Sequence, residues 1–136
     1  MSESAGEIHS KPKVAILAED DEMIRELVTL YLEKLSYQTI AVENGRLALD
    51  ELEKRANNPV ELLVSDLVMP ELGGAELVSE AIQNQYCSKV LLISGYSQET
   101  AFIERALKAG CQFLKKPFNL KEFEDIVKSL GTIRSE

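Results

Sequence analysis

The sequence predicts an α/β protein in which five parallel strands form a doubly wound sheet between two layers of helices. Two observations favour this class. Short apolar runs recur along the chain without alternating polar residues, and each run is followed by a segment with helical periodicity. A chain of 136 residues with 45% hydrophobic composition is long enough to build one such domain around a full core.

The strands are placed by short apolar runs. Such runs are too short for ordinary helices and are bounded by turn residues such as proline, glycine and asparagine. The predicted strands, in chain order, cover residues 14–18, 38–42, 62–66, 90–93 and 111–115.

The helices are placed by apolar residues at intervals of three or four. The first helix is predicted from about Glu22 to Leu35, the second begins behind Asn44 and Gly45, and Gly110 ends the fourth. The apolar positions that mark the last four helices are Leu47, Ala48 and Leu52; Leu77, Val78, Ala81 and Ile82; Phe102, Ile103, Ala106 and Leu107; and Leu120, Phe123, Val127 and Leu130.

The composition argues against several classes of function. A formal net charge of −8 opposes binding to nucleic acid or to an anionic membrane, so we expect partners to be proteins or small ions. Cys87 and Cys111 lack metal-binding spacing and are expected to be buried, reduced thiols. With no apolar run of membrane-spanning length and no leader-like start, we expect a cytoplasmic protein without a membrane partner.

Polar residues that follow the strands carry the candidate chemistry, because parallel strands end at the same edge of a sheet and ligands of doubly wound folds bind there. These residues are Glu19, Asp20 and Asp21 after the first strand, Asp66 after the third, Ser94 after the fourth and Lys116 after the fifth. Several acids with one hydroxyl and one ammonium suit Mg²⁺ and phosphate oxygens. Asp66 could then attack a phosphoryl group that Ser94 and Lys116 contact.

Four segments, in this order and spacing, resemble the receiver domains of two-component response regulators from Lys13 to Leu130. They are the acids behind the first strand, Asp-Leu-Val-Met-Pro at 66–70 with Gly74 behind it, Ser-Gly at 94–95, and Phe-Leu-Lys-Lys-Pro-Phe at 113–118. The resemblance implies a flavodoxin-like three-layer sandwich with strand order 2-1-3-4-5. It also implies a receiver domain over residues 13–130, with short tails at 1–12 and 131–136.

The resemblance assigns roles in phosphoryl and metal binding. It implies that Asp66 is the phosphoacceptor and that Val68 lends its backbone carbonyl to Mg²⁺. Asp20 then corresponds to the principal metal ligand and Glu19 to its acidic neighbour. An alternative register pairs Asp20 with Asp21, although Asp21 also suits the N-cap of the first helix.

The resemblance also assigns the switch. Lys116 is implied to contact the phosphoryl group, and its bond to Pro117 is expected to be cis. Ser94 and Phe113 are implied to form the switch pair, with Phe113 in place of the tyrosine often found there.

The function implied by the resemblance is a phosphoacceptor switch. A sensor histidine kinase or histidine phosphotransfer protein supplies the phosphoryl group, and the surface of the fourth helix, fifth strand and fifth helix then signals to an output protein or domain. The protein would not be an enzyme beyond catalysing its own phosphorylation and dephosphorylation. Whether phosphorylation causes homodimerisation through that surface is left open, as is the choice between a single-domain regulator and a receiver from a longer protein.

Two other functions fit part of this pattern. An aspartate-nucleophile phosphatase would use the same acid chemistry, but it usually needs a second acid two residues beyond the nucleophile, where this chain has Val68. A receiver-fold interaction module that has lost phosphorylation would not need the acids, hydroxyl and lysine that this chain retains.

Overall fold

The computed structural model describes residues 12–95 and 101–133. Strands and helices alternate throughout this part of the chain. The elements are β1 (Lys13–Ala18), α1 (Glu22–Lys34), β2 (Tyr37–Val42), α2 (Gly45–Lys54), β3 (Val60–Asp66), α3 (Gly74–Gln83), β4 (Cys87–Ser94), α4 (Ala101–Lys108), β5 (Gln112–Lys115) and α5 (Leu120–Ser129).

The five strands form one parallel sheet in the order β2-β1-β3-β4-β5. Across the centre of the sheet Ile16 pairs with Leu63, and Leu63 pairs with Val90. This arrangement confirms the predicted fold class and the strand order that the resemblance implied. All five carboxyl ends therefore lie along the same edge of the sheet.

Both faces of the sheet are buried, which explains why the strands do not alternate with polar residues. Ile16 and Leu63 belong to a core cluster shared with α2, α3 and α4, whereas their neighbours Leu17 and Val64 belong to a second cluster shared with α1 and α5. All four side chains are completely buried. Burial of a leucine or isoleucine side chain of this kind contributes about 1.5–3 kcal/mol.

Short polar side chains fix where three helices begin. Asp21 accepts a hydrogen bond from the Ile24 N–H at 3.0 Å, which makes it the N-cap of α1. Asn44 caps α2 in the same way, and Asn119 caps α5. The predicted helix start behind Asn44 and the alternative role of Asp21 as a cap are both confirmed.

The strand boundaries differ from the sequence-based ones by up to three residues. β4 begins at Cys87 rather than at residue 90, because pairing with β3 extends the strand through Ser88 and Lys89. β5 begins at Gln112, one residue later than predicted, and α1 ends one residue earlier than predicted, with Leu35 as its C-cap. Pairing with neighbouring strands, which a single apolar run does not reveal, sets the two strand starts.

The last described residues bear on the predicted C-terminal tail, and Cys87 and Cys111 on the predicted thiols. Ile133 packs on the core, and its N–H donates to the Ser88 carbonyl at 2.8 Å, whereas residues 1–11 and 134–136 lie outside the described part of the chain. Cys87 and Cys111 are buried free thiols, as predicted. Within the described residues, every helix is too short or too polar to cross a membrane.

Candidate functional site

The polar residues behind the strands meet at the carboxyl edge of the sheet. Asp66 is the last residue of β3 and Ser94 the last residue of β4, and they are 6% and 1% exposed. Glu19 directly follows β1 and is completely buried, while Lys116 directly follows β5. The parallel sheet therefore brings together side chains from four different strands.

Lys116 joins two of the acids. Its Nζ atom lies 3.0 Å from Asp66 Oδ2 and 3.0 Å from Glu19 Oε1. Burial acts to lower the pKa of the Lys116 ammonium, but its contacts with the two carboxylates outweigh burial and raise that pKa above its ordinary value. Lys116 therefore stays charged and holds both acids at the end of the sheet.

The charged form of Glu19 is disfavoured by its surroundings. Burial raises the pKa of Glu19 to about 7, and the negative charge of Asp66 adds to this effect. The Asp21 N–H donates to Glu19 Oε2 at 3.0 Å, and together with Lys116 it offsets only part of the shift. Glu19 Oε1 makes the ion pair with Lys116 but, among the residues that the structure describes, no hydrogen bond of good geometry. One ammonium thus faces two carboxylates, so a further cation could balance the charge of the group.

Three acids could hold that cation. Carboxylate oxygens of Glu19, Asp20 and Asp66 lie within 4.8 Å of one another. Oxygen donors of this kind are the ligands that Mg²⁺ prefers, and an incompletely satisfied buried oxygen on Glu19 fits such an ion. Asp21 is not part of this group, because its side chain caps α1.

The backbone behind Asp66 turns sharply away from the sheet. The Leu67 N–H donates to the Ile93 carbonyl at 3.0 Å, and the Gly74 N–H donates to the Leu67 carbonyl at 3.0 Å. A Cβ atom on Gly74 would lie 2.3 Å from the Asp66 carbonyl oxygen, so the close approach requires glycine. The Val68 side chain points outward, 61% exposed, and its N–H lies 3.4 Å from Asp66 Oδ1.

The ends of β4 and β5 are tied to each other. The Lys116 N–H donates to the Ser94 carbonyl at 2.7 Å, and the bond between Lys116 and Pro117 is cis, as predicted. Phe113 pairs with Leu92 and is partly buried against the core cluster on the α2–α4 face. Ser94 and Phe113, the residues implied to form the switch, therefore lie on neighbouring strands that are hydrogen-bonded to each other.

Sequence-based reasoning missed two contacts that shape the site. The Arg25 guanidinium donates to the Glu19 carbonyl at 2.8 Å, and the Ser65 hydroxyl donates to the Asp66 carbonyl at 2.8 Å. The sequence signals for the first are that Arg25 stands one turn inside a helix that begins beside the acids, and that it matches a basic position that the receiver family often has in its first helix. Nothing in the sequence points to the second.

Comparison with known proteins agrees with this geometry. Residues 15–128 match the family model described as the response regulator receiver domain. The chain is 30% identical to the response regulator receiver protein CpdR of Brucella abortus over 118 residues, which cover 87% of this chain and 96% of that protein. It is 34% identical over 127 residues to histidine kinase P4 of Formosa agariphila, covering 90% of this chain but only 9% of the kinase.

Solved structures give the same fold. The chemotaxis protein CheY4 of Vibrio cholerae superposes with a TM-score of 0.75 at 23% identity, covering 88% of this chain and 99% of that one. A likeness at this identity supports the fold, and the family model with the CpdR relative supports membership. The resemblance seen in the sequence is thereby confirmed, and the chain belongs to the response regulator receiver domain family of two-component signalling.

Proposed function

We propose that the chain accepts a phosphoryl group on Asp66, in a Mg²⁺-dependent reaction, from a sensor histidine kinase or a histidine phosphotransfer protein. The observation that carries this proposal is the pairing of Asp66 with Lys116 at 3.0 Å beside two further acids, at the edge of the sheet where neither partner can be fully solvated. Clusters of this kind are typical of functional sites. This chemistry fits the cytoplasm, where kinases have access to ATP.

In the transfer step a carboxylate oxygen of Asp66 attacks the phosphorus atom of the donor. A new P–O bond forms, the P–N bond of the phosphohistidine breaks, and the imidazole nitrogen leaves with the electron pair of that bond. The Lys116 ammonium, which already contacts Asp66 Oδ2, orients the carboxylate and then contacts a phosphoryl oxygen. We expect Ser94, the last residue of the neighbouring strand, to donate its hydroxyl hydrogen to another.

A divalent cation fits the same edge. Glu19, Asp20 and Asp66, with the backbone carbonyl of Val68, are the groups that would hold it. When bound, Mg²⁺ neutralises the negative charge that the phosphoryl oxygens carry during transfer. With these groups the domain would catalyse its own phosphorylation by the donor. It would also catalyse the later hydrolysis of the aspartyl phosphate by water, without a separate enzyme active site.

The proposed output is a shift between two packings of the α4-β5-α5 surface. New contacts from the phosphoryl group to Ser94 and Lys116 would favour one packing, and the hydrogen bond between the Lys116 N–H and the Ser94 carbonyl links the two strand ends that move. Phe113 on β5 would follow this movement. The changed surface, which includes the half-exposed Leu107 on α4, would bind an output protein or domain, or a second copy of the chain.

The test is intact-protein mass spectrometry after incubation with acetyl phosphate, with and without Mg²⁺. We expect the wild type to gain one phosphoryl group only when Mg²⁺ is present, and Asp66→Asn to gain none. Asp21→Asn is the matched control, because asparagine is as good an N-cap as aspartate and Asp21 lies outside the acid cluster.

Two results would contradict the proposal. One is a phosphoryl adduct that persists in Asp66→Asn. The other is the absence of any adduct together with failure of the wild type to bind beryllofluoride, which mimics an acyl phosphate without being hydrolysed. The second result would favour an interaction module that does not use phosphorylation.

A further inference from the structure

We infer that Arg25 is a positioning residue for the cation site: its guanidinium holds the β1–α1 turn so that the carboxylates of Glu19 and Asp20 face Asp66. This inference rests on the proposed function, since it concerns the Mg²⁺ that the function requires. Arg25 touches neither the phosphoryl group nor the metal in this account, and it acts only through the backbone of the acidic turn.

The contacts of Arg25 are directed at the two acids that precede α1. Its Nη1 atom lies 2.8 Å from the Glu19 carbonyl oxygen and 3.5 Å from the Asp20 carbonyl oxygen. The first distance is that of a strong, charge-assisted hydrogen bond, and the second is a weaker contact from the same nitrogen. A single guanidinium nitrogen therefore contacts the carbonyl oxygens of two successive peptide groups, those of Glu19 and Asp20.

The other bonds of the turn explain why this contact matters. The Glu19 N–H donates to the Val42 carbonyl at 3.1 Å, and the Asp21 N–H donates to Glu19 Oε2 at 3.0 Å. These bonds hold the Glu19 backbone against β2 and its carboxylate against the turn. Asp20 is exposed, and the direction of its carboxylate depends on the peptide that Arg25 grips. Outer groups that orient metal ligands in this way commonly change metal affinity when they are removed.

Charge and position act in opposite directions at Arg25, which makes the inference testable. A positive charge one hydrogen bond away from the acidic turn repels Mg²⁺, so loss of that charge alone would make Mg²⁺ binding tighter, by about a few-fold at low salt. Loss of the grip on the turn would instead make Mg²⁺ binding weaker. The sign of the change therefore distinguishes a positioning role from a purely electrostatic one.

The experiment is a titration of the ¹⁵N-labelled protein with MgCl₂ at constant ionic strength, without a phosphodonor, followed by the amide shifts around the site. We expect Arg25→Met to weaken Mg²⁺ affinity on the order of tenfold. Arg25→Lys keeps the charge and one donor at similar length, so its affinity should lie between those of Arg25→Met and the wild type. The spectra also report directly whether each variant is folded.

The matched control is Arg55→Met. It removes the same charge with the same replacement, but from the C-terminal end of α2, where Arg55 lines a cavity with Lys13 and Pro59 near the opposite edge of the sheet. We expect this control to bind Mg²⁺ with wild-type affinity. If Arg25→Met does not give a folded spectrum, Arg25→Gln takes its place, because glutamine is neutral and too short to reach the Glu19 carbonyl.

A second readout separates positioning from a general loss of structure. At saturating Mg²⁺ the rate at which acetyl phosphate phosphorylates Arg25→Met should return to within about twofold of the wild-type rate. Asp66 and Lys116 are untouched in this variant, and bound Mg²⁺ would restore the ligand geometry. Unchanged or tighter Mg²⁺ binding in Arg25→Met, with the wild type binding normally, would overturn the inference and leave the proposed function intact. A wild type that binds no Mg²⁺ would overturn both.

Discussion

Two lysines join glutamates at opposite ends of the same sheet, and their surroundings differ. Near the amino edge Lys89 Nζ lies 3.1 Å from Glu61 Oε2, and both side chains are partly exposed to solvent. At the carboxyl edge Lys116 lies 3.0 Å from both Glu19 and Asp66. The amino-edge pair is balanced and solvated, whereas at the carboxyl edge one ammonium faces two buried carboxyl groups.

The imbalance supports the proposal that the carboxyl edge is the functional one. A partly exposed ion pair gains and loses little on folding, since water solvates both partners in either state. A buried carboxylate without a full complement of cations reduces stability, and the raised pKa of Glu19 reports that cost. Such an arrangement is understandable if a metal ion and a phosphoryl group complete it.

The largest expected effect follows from removal of the Lys116 ammonium at the carboxyl edge. Lys116→Met should lower the free energy of unfolding at pH 7 by about 3–5 kcal/mol, because the buried Glu19 and Asp66 would both lose their ammonium partner. Urea denaturation followed by circular dichroism measures this. A loss below about 1 kcal/mol would show that the two edges are energetically alike.

The pH dependence of stability should also separate the two edges. The folded-state pKa of Glu19 is raised from 4.5 to about 7, so in the absence of divalent cations the folded protein keeps a proton that the unfolded chain has lost. The contribution of Glu19 protonation to the free energy of unfolding is therefore fully present below pH 4.5. It is lost as the pH rises to 7, which lowers the free energy of unfolding by about 3 kcal/mol. Glu19→Gln should abolish this decline.

Urea denaturation in EDTA at several pH values between 4.5 and 7.5 measures this dependence. Glu61→Gln, which removes a carboxylate from the amino-edge pair, is the control and should keep the wild-type decline. A wild-type protein that grows more stable across this range would contradict the assigned state of Glu19.

Packing at the carboxyl edge gives a smaller effect. Gly74→Ala should cost about 2 kcal/mol, because the new methyl group would collide with the Asp66 carbonyl. Gly95→Ala, beside Ser94, should change stability by less than about 0.5 kcal/mol, since no atom of the described residues lies within 4 Å of its Cβ position. Thermal unfolding of the two variants makes the comparison, and equal costs would mean that the turn behind Asp66 is not tightly packed.

The smallest effect is expected at the amino edge. Lys89→Met should lower the free energy of unfolding by less than about 1 kcal/mol, because water takes over the solvation of Glu61. The same urea denaturation that tests Lys116→Met measures it. A loss as large as that of Lys116→Met would remove the distinction between the two edges.

The fold follows from the sequence to a large extent, for a physical reason. Strands buried on both faces must be apolar throughout, and five such runs alternating with amphipathic helices fit few architectures. The strand order did not follow from the apolar runs and came only from the family resemblance. The start of β4 at Cys87 was hidden because Ser88 and Lys89 are polar, and only pairing with β3 draws them into the strand.

The site could be predicted in outline. The positions of Asp66 and Lys116 behind their strands were enough to predict that they meet, and they lie 3.0 Å apart. Which acids face Asp66 was left open, because this depends on side-chain directions in a turn. The structure places Glu19 and Asp20 with Asp66 and uses Asp21 as a cap. The roles in catalysis, metal binding and switching remain predictions.

The most direct test of the central claim locates the phosphoryl group within the chain. Protein phosphorylated by acetyl phosphate with Mg²⁺ would be treated with borohydride, which reduces an aspartyl phosphate to homoserine, and then digested and sequenced by tandem mass spectrometry. We predict homoserine at position 66 alone, and none when Mg²⁺ is omitted. Homoserine at position 20 or 21, with unmodified Asp66, would contradict the assignment of Asp66 as the phosphoacceptor.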